Sequence, residues 1–414
     1  MYTRIMGRCW AIRMLSVFVL MLIILAATGA AEGLNSSNDA SIEKKVAYLG
    51  RPGVVMITVD YVGTLRNDRE ENVVYLQPDE AEKKVSLKIP EDLTAGVTSV
   101  GSGFVVSPDG YVVTNAHVVD MPYEELKSYF INQAVRWAAK EFPAVFLDYG
   151  ERYPSTEEDL LEIEDNFKSY RLDYKKVINV YFGSNGPMQS AKAHSAEIRK
   201  SSTEQTYLFN NMWFRSGKDV AILKIEGFTD LSTVILGDSN RVDVGDKVVV
   251  IGYPGSVSTA FGEGVTLSPE TELVPTVTSG IISAKKMQPD GSEAIQTDTT
   301  VYHGNSGGPA FDEDGRVIGV ATFGSGKKMS SGEWLDLQGY NFLIPINVVK
   351  SFMSELGINT ASKTTSHMEK GLDYYWSGKY GEAKQEFQKA SSLDSQNAYA
   401  TSYTQMCANK YLDQ

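Results

Sequence analysis

Apolar residues alternate with small or polar ones from Arg51 to Leu65, a stretch bounded by Arg51-Pro52-Gly53 and Gly63, and this period of two predicts a strand. Residues 66–95 are charged and irregular and read as a long loop. Strand-like text resumes at Ser99–Val106, turns at Pro108-Asp109-Gly110 and continues at Tyr111–Thr114, a hairpin by its turn chemistry. Over about 121–176 the period changes. Tyr123, Leu126, Tyr129 and Phe130 recur at helical spacing among charged residues, which predicts a helical insert. Short strands return at Val177–Phe182, Val220–Ile225, Lys247–Ile251, Thr276–Ser283, Ala294–Thr297 and Val317–Phe323. Strands this short, separated by Gly-rich or Pro-containing turns, favour a mostly β barrel or sandwich. A helical run follows Ile344-Pro345-Ile346 as far as Leu356. Residues 358–365 then read as a polar linker, and residues 366–414 are helical throughout.

The amino terminus changes what counts as fold. Arg4, Arg8 and Arg13 lead into an unbroken apolar run from Met14 to Ala27, followed by the small residues Thr28, Gly29, Ala30 and Ala31. Residues 1–31 therefore read as a cleaved signal peptide or an uncleaved membrane anchor, and either implies export to an extracytoplasmic compartment. Cys9 precedes the apolar run, so after cleavage only Cys407 remains and no internal disulfide can form. The net charge of −13 becomes more negative once the leader arginines are gone. Such a surface disfavours nucleic acid and anionic lipid.

Three short segments carry candidate chemistry. In Gly304-Asn305-Ser306-Gly307-Gly308-Pro309, glycines allow a tight loop that holds a serine hydroxyl outward and turns backbone N–H groups toward a substrate. Thr114-Asn115-Ala116-His117-Val118-Val119 supplies, at the end of a strand, a side chain suited to accept a proton near neutral pH. Lys218-Asp219-Val220-Ala221-Ile222-Leu223 places one acid at the mouth of an apolar strand, where it can hold an imidazole in one tautomer. Each alone has a plainer reading, as a Gly-rich turn, a structural histidine or a strand-end turn acid. Their chain order, His117, Asp219, Ser306, is that of the chymotrypsin-like plan rather than of subtilisins or α/β-hydrolases.

With these segments go Gly101-Ser102-Gly103-Phe104-Val105-Val106, Leu236-Gly237-Asp238-Ser239, Val248-Val249-Val250-Ile251-Gly252-Tyr253-Pro254, Thr278-Ser279-Gly280-Ile281-Ile282-Ser283 and Ile295-Gln296-Thr297-Asp298. Together they resemble the HtrA/Deg family of trypsin-like serine proteases. The resemblance implies two six-stranded β-barrels over 46–357, a serine endopeptidase acting on polypeptides through His117, Asp219 and Ser306, and an oxyanion hole from the backbone of Gly304, Asn305 and Ser306. It implies no metal or organic cofactor, and a homo-oligomer, a trimer. His194 and His367 fit neither a metal pattern nor the triad. By the same resemblance Thr300, Val301, Tyr302 and His303 line the specificity pocket, and Thr322 and Phe323 run along the substrate. None of the pocket residues is acidic, so cleavage after small or medium apolar residues is expected in place of Arg or Lys. His303 replaces the family's commoner proline.

The family's usual PDZ domains have no room after residue 365. Instead Gly371, Tyr374, Gly378, Tyr380, Ala383, Phe387, Ala390 and Leu393-Asp394 fall where a single tetratricopeptide-like unit locks its two helices. This helical hairpin either packs only or binds a protein partner. One such unit cannot bury its apolar face by itself, so another part of the molecule or another subunit must cover it.

Overall fold

The computed structural model describes residues 40–67, 73–76, 85–88, 92–141, 157–184, 187–202, 205–209, 212–254, 268–288, 290–301, 304–328 and 334–412. Residues 1–31, read above as a signal peptide or membrane anchor, lie outside the described residues. Among them no helix is long and apolar enough to cross a membrane.

Helix α1 (Ile42–Gly50), whose Ser41 cap accepts from Lys44 N, leads into β1 (Val54–Arg66). A small ribbon of β2 (Val73–Leu76) and β3 (Val85–Lys88) precedes β4 (Asp92–Val105) and β5 (Tyr111–Thr114). Helices α2 (Ala116–Val119), α3 (Tyr123–Glu141) and α4 (Glu157–Lys168) follow, then β6 (Arg171–Phe182), β7 (His194–Ser201), a second ribbon of β8 (Gln205–Phe209) and β9 (Met212–Ser216), and β10 (Ala221–Ile225). Strands β1-β4-β5-β10-β7-β6 close a six-stranded antiparallel barrel.

The second half runs β11 (Ile235–Leu236), β12 (Lys247–Gly252), β13 (Thr276–Met287), β14 (Glu293–Thr297), β15 (Pro309–Phe311), β16 (Arg316–Lys328) and β17 (Trp334–Pro345). Pairing of β16 with β17 closes β16-β15-β12-β13-β14-β17 into a second six-stranded ring, and β11 adds in parallel to β16.

Period-two sequence explains how the two barrels share a core. Val55, Ile57, Val59 and Tyr61 of β1 fill the first barrel, while Val54 and Met56 face outward. They meet Phe104, Val113, Ile222, Val249, Ile251 and Phe311 in a cluster between the barrels. Along β12 the pattern repeats in reverse, with Val248 and Val250 inside the second barrel beside Ile282, Ile295 and Leu343. Strands buried on both faces read as nearly continuous apolar runs, as in β10, where Lys224 alone is charged and donates to Asp109 O and Ile225 O.

The insert is shorter than the expected 121–176 and the loop shorter than 66–95. Strand β6 already begins at Arg171 and β4 at Asp92, because β1, β4 and β6 extend together beyond the barrel, pairing Leu65 with both Leu93 and Leu172. Leu172 alone is buried in the first six residues of β6, so the charged stretch carried no strand periodicity. Helices α3 and α4 bury Leu126, Phe130, Ile131, Ala134, Ile163 and Phe167 against Tyr61 and Leu65, covering this extension.

After α5 (Ile346–Glu355) come α6 (Lys363–Trp376), α7 (Tyr380–Leu393) and α8 (Ala398–Leu412). Helix α6 starts inside the expected linker. Its Ser and Thr residues read as linker but are buried hydrogen-bonding groups: Ser362 Oγ donates to Leu231 O at 2.8 Å, Thr364 Oγ1 to Asp230 O at 2.6 Å, and Thr365 Oγ1 accepts from Thr233 N at 2.8 Å. Asp394 Oδ2 accepts from Ser232 N at 2.8 Å, and Asn397 Nδ2 donates to Ser232 Oγ at 2.8 Å. Burial pushes the Asp394 carboxyl above its ordinary range.

Helices α6–α8 enclose Met368, Leu372, Phe387, Ala390, Tyr403 and the free Cys407, whose thiol burial raises to about 11. Helix α1 covers their remaining apolar face. Tyr48 stacks on Tyr403 with ring centroids 4.8 Å apart, and Tyr403 OH donates to Tyr48 O at 3.0 Å. The cover is therefore intramolecular, from α1 and the inter-barrel connection Asp230–Thr233.

Candidate active site

The three motif residues converge where the barrels meet. His117 lies in the one-turn helix α2 directly after β5, and Asp219 stands two residues before β10, the strand paired with β5. That pairing brings residues distant in sequence together: His117 Nδ1 is 2.9 Å from Asp219 Oδ2, and His117 N donates to Asp219 Oδ1 at 3.1 Å. The Asp219 side chain is 1% exposed and the imidazole 20%. Asp219 has φ of +31°, in a region few non-glycine residues adopt. Asn115 holds it there, donating from Nδ2 to Asp219 O at 2.8 Å.

Thr322 of β16 links this pair to the serine. Its hydroxyl donates to Asp219 Oδ2, and its carbonyl accepts from Ser306 Oγ at 2.9 Å. Thr322 was expected along a substrate, but its side chain is buried and spent on Asp219, so only its backbone is left to offer. The bonding of Thr322 to the acid was not anticipated, since a threonine within an apolar strand gives no local signal. Pairing of β16 with β17 shifts register between Ala321 and Gly324, which releases the backbone of 322–323 from the ladder. Phe323 contributes that backbone; its side chain is outside the description.

The nucleophile loop is built by close approach. Gly304 and Gly307 have φ of +99° and +86°, and a Cβ at Gly307 would collide with Ser102 O and Thr114 Oγ1. The three carbonyls of Gly304, Asn305 and Ser306 are each tied back, to Ser102 Oγ at 2.6 Å, Gly308 N at 2.9 Å and Ser102 N at 2.8 Å. Among the described residues the N–H groups of these three residues have no acceptor, while Gly307 N donates to Ala321 O. Asn305 is buried with Oδ1 unpartnered, so this residue can present only its N–H.

Thr300 is exposed, and its carbonyl accepts from Thr278 Oγ1 at 3.0 Å. Val301 packs on the core of the second barrel. Tyr302 and His303 lie outside the described residues. Asn341, which the sequence did not single out, is buried on β17 and donates from Nδ2 to Thr299 O at 2.8 Å. Two clefts of about 600 and 400 Å³ lie along the C-terminal seam, and neither is lined by a motif residue. Among the described residues no group of three or more His, Cys, Asp or Glu is placed to hold a metal ion.

Two barrels with a His–Asp pair and a serine at their junction define the trypsin-like class of peptidases. The trypsin-like peptidase domain family matches residues 101–320. A probable periplasmic serine endoprotease, DegP-like, of Pseudomonas savastanoi pv. phaseolicola is 30% identical over 261 residues, 62% of this chain and 35% of that protein. Its counterpart in Rickettsia conorii is 27% identical over 315 residues, 74% of this chain and 44% of that protein. A Rattus norvegicus serine protease is 25% identical over 312 residues, covering 74% and 42%. The chain thus spans less than half the length of these relatives. It belongs to the trypsin-like peptidase family, as an HtrA-like member.

Proposed function

We propose that the chain is a serine endopeptidase that hydrolyses peptide bonds of extended or misfolded polypeptides outside the cytoplasm. The observation that carries this reading is the 2.9 Å contact of His117 Nδ1 with a buried Asp219 carboxylate, with Ser306 joined to the same carboxylate through Thr322. The N-terminal leader and the periplasmic designation of the Pseudomonas relative support the compartment.

A substrate strand adds to the unpaired backbone at 322–323. Ser306 Oγ turns about χ1 from the Thr322 carbonyl to His117 Nε2, a rotation between staggered wells. His117 takes the hydroxyl proton as Oγ bonds to the carbonyl carbon, and the carbonyl electron pair moves onto oxygen. The N–H groups of Gly304 and Ser306 stabilise that oxyanion; one such donor is typically worth about 100- to 1000-fold in rate. Collapse breaks the C–N bond, and His117 hands its proton to the departing amine. Water then attacks the acyl-enzyme with His117 again as base. Asp219 stays ionised and stabilises the imidazolium. Thr300 and Val301 supply no carboxylate for a basic side chain, which favours small or medium apolar residues at the cleavage site.

The test is turnover of casein by the wild type and by Ser306→Ala. Release of peptides by the wild type, lost about 10⁴-fold or more in the variant, is expected; equal and negligible turnover by both refutes the assignment.

A further inference from the structure

One residue of the first barrel holds both ends of the nucleophile loop on the second. Ser102, on β4 and fully buried, donates from Oγ to Gly304 O at 2.6 Å and from its backbone N to Ser306 O at 2.8 Å. The same Oγ accepts from Tyr253 N at 2.8 Å, and Ser102 O accepts from Thr114 Oγ1 at 2.7 Å, just upstream of His117. With one donor proton in use and acceptors engaged, the hydroxyl has a single orientation.

The consequence lies in peptide geometry. A trans peptide directs its N–H opposite to its C=O. Fixing Gly304 O therefore fixes the Asn305 N–H on the other side, and fixing Ser306 O turns the Gly307 N–H to Ala321 O. Gly304 itself, at φ of +99°, has no side chain to resist rotation of the 304–305 plane. Its only described tie is the Ser102 hydroxyl.

We propose that Ser102 is a positioning residue for peptide hydrolysis: its hydroxyl, reaching across the barrel seam, sets the 304–305 peptide that joins the two donor-bearing peptides and so holds Gly304 N–H and Ser306 N–H toward the developing oxyanion. This rests on the endopeptidase reading above. Because the oxyanion exists only past the ground state, loss of the hydroxyl acts on kcat and spares KM.

The variant is Ser102→Ala, which keeps the backbone bond to Ser306 O and removes only the hydroxyl. With a chromogenic peptide substrate, kcat falls about 10- to 100-fold, less than for outright loss of an oxyanion donor. KM stays within about threefold, affinity for a peptide boronic acid drops in step with kcat, and Ser102→Cys, which retains a weak donor, recovers part of the loss. A kcat within twofold of wild type, or a loss matched by KM and traced to partial unfolding at the assay temperature, overturns the proposal. A crystal structure of Ser102→Ala gives a reading independent of turnover. A 304–305 carbonyl turned away from its wild-type direction supports the role, and an unchanged peptide plane overturns it even if the wild type cleaves nothing, an outcome that would count against the endopeptidase reading alone.

Discussion

Two seams hold this molecule together, and both are joined by short polar side chains that reach for backbone groups. At the junction of the barrels, Ser102 takes Gly304 O, Asn115 takes Asp219 O, and Thr322 takes the Asp219 carboxylate. At the base of the C-terminal helices, Ser362, Thr364, Thr365, Asp394 and Asn397 bind the connection Asp230–Thr233. The seams differ in what is left unsatisfied. Every side-chain oxygen and nitrogen of those five C-terminal residues is hydrogen-bonded, and Asn397 Oδ1 also caps α8 through Ala400 N. Among the described residues the barrel seam buries Asn115 Oδ1 and Asn305 Oδ1 without partners, holds Asp219 at positive φ and leaves three consecutive N–H groups without an acceptor. One seam is satisfied within the folded chain, and the other keeps the open polar groups that the proposed reaction would use.

The sharpest way to separate the two is Asp219→Asn. Asparagine tolerates the same backbone angle, so the melting temperature should stay near wild type while kcat falls about 10⁴-fold through loss of the charge and the correct tautomer. Asp394→Ala should do the reverse. Stranding Ser232 N and Gln396 N lowers stability by about 1–3 kcal/mol in urea unfolding, with kcat unchanged below the transition. A large loss of turnover in folded Asp394→Ala would break the contrast.

The smallest effect expected is one of pH. His194 is buried in edge contact with Phe182 and Phe228, and burial, with Lys192 nearby, lowers its pKa below 6.5 against the opposing effect of a hydrogen bond with Gln396 of the α7–α8 turn. Lys192, Glu226, Asp230 and Asp394 line the cleft beside it. The unfolded chain therefore binds this proton first, and stability present above pH 6.5 is lost as pH falls from there toward the lowered value. Urea midpoints at pH 7.5 and 5.5 measure this slope, and His194→Gln should flatten it.

Much of the barrel seam was legible because its chemistry is local in sequence: a Gly-rich hexapeptide, a strand-end His and a strand-mouth Asp each leave a short signature. Ser102 was not legible as part of the site, and Thr322 was read along the substrate and not as the partner of Asp219. Each is a hydroxyl within an apolar strand, and each acquires meaning from partners more than a hundred residues away. The C-terminal seam was obscured for a related reason, since Ser362, Thr364 and Thr365 have the composition of a linker and become structural only against Asp230–Thr233. The charged beginning of β6 hid in the same way, since Leu172 alone is buried among its first six residues, whereas β4 opens on an alternation of Leu93, Ala95 and Val97 that was read as loop.

The stacking of Tyr48 on Tyr403 spans 355 positions of the chain. At about 5–20 residues per second, the ribosome makes the first ring roughly 20–70 s before the second. Through that interval the Tyr48 ring of α1 waits for the partners it stacks and tilts against, Trp376 and Tyr403. A chain cut before α8 lacks Tyr403 and leaves the Tyr48 ring without its stacking partner.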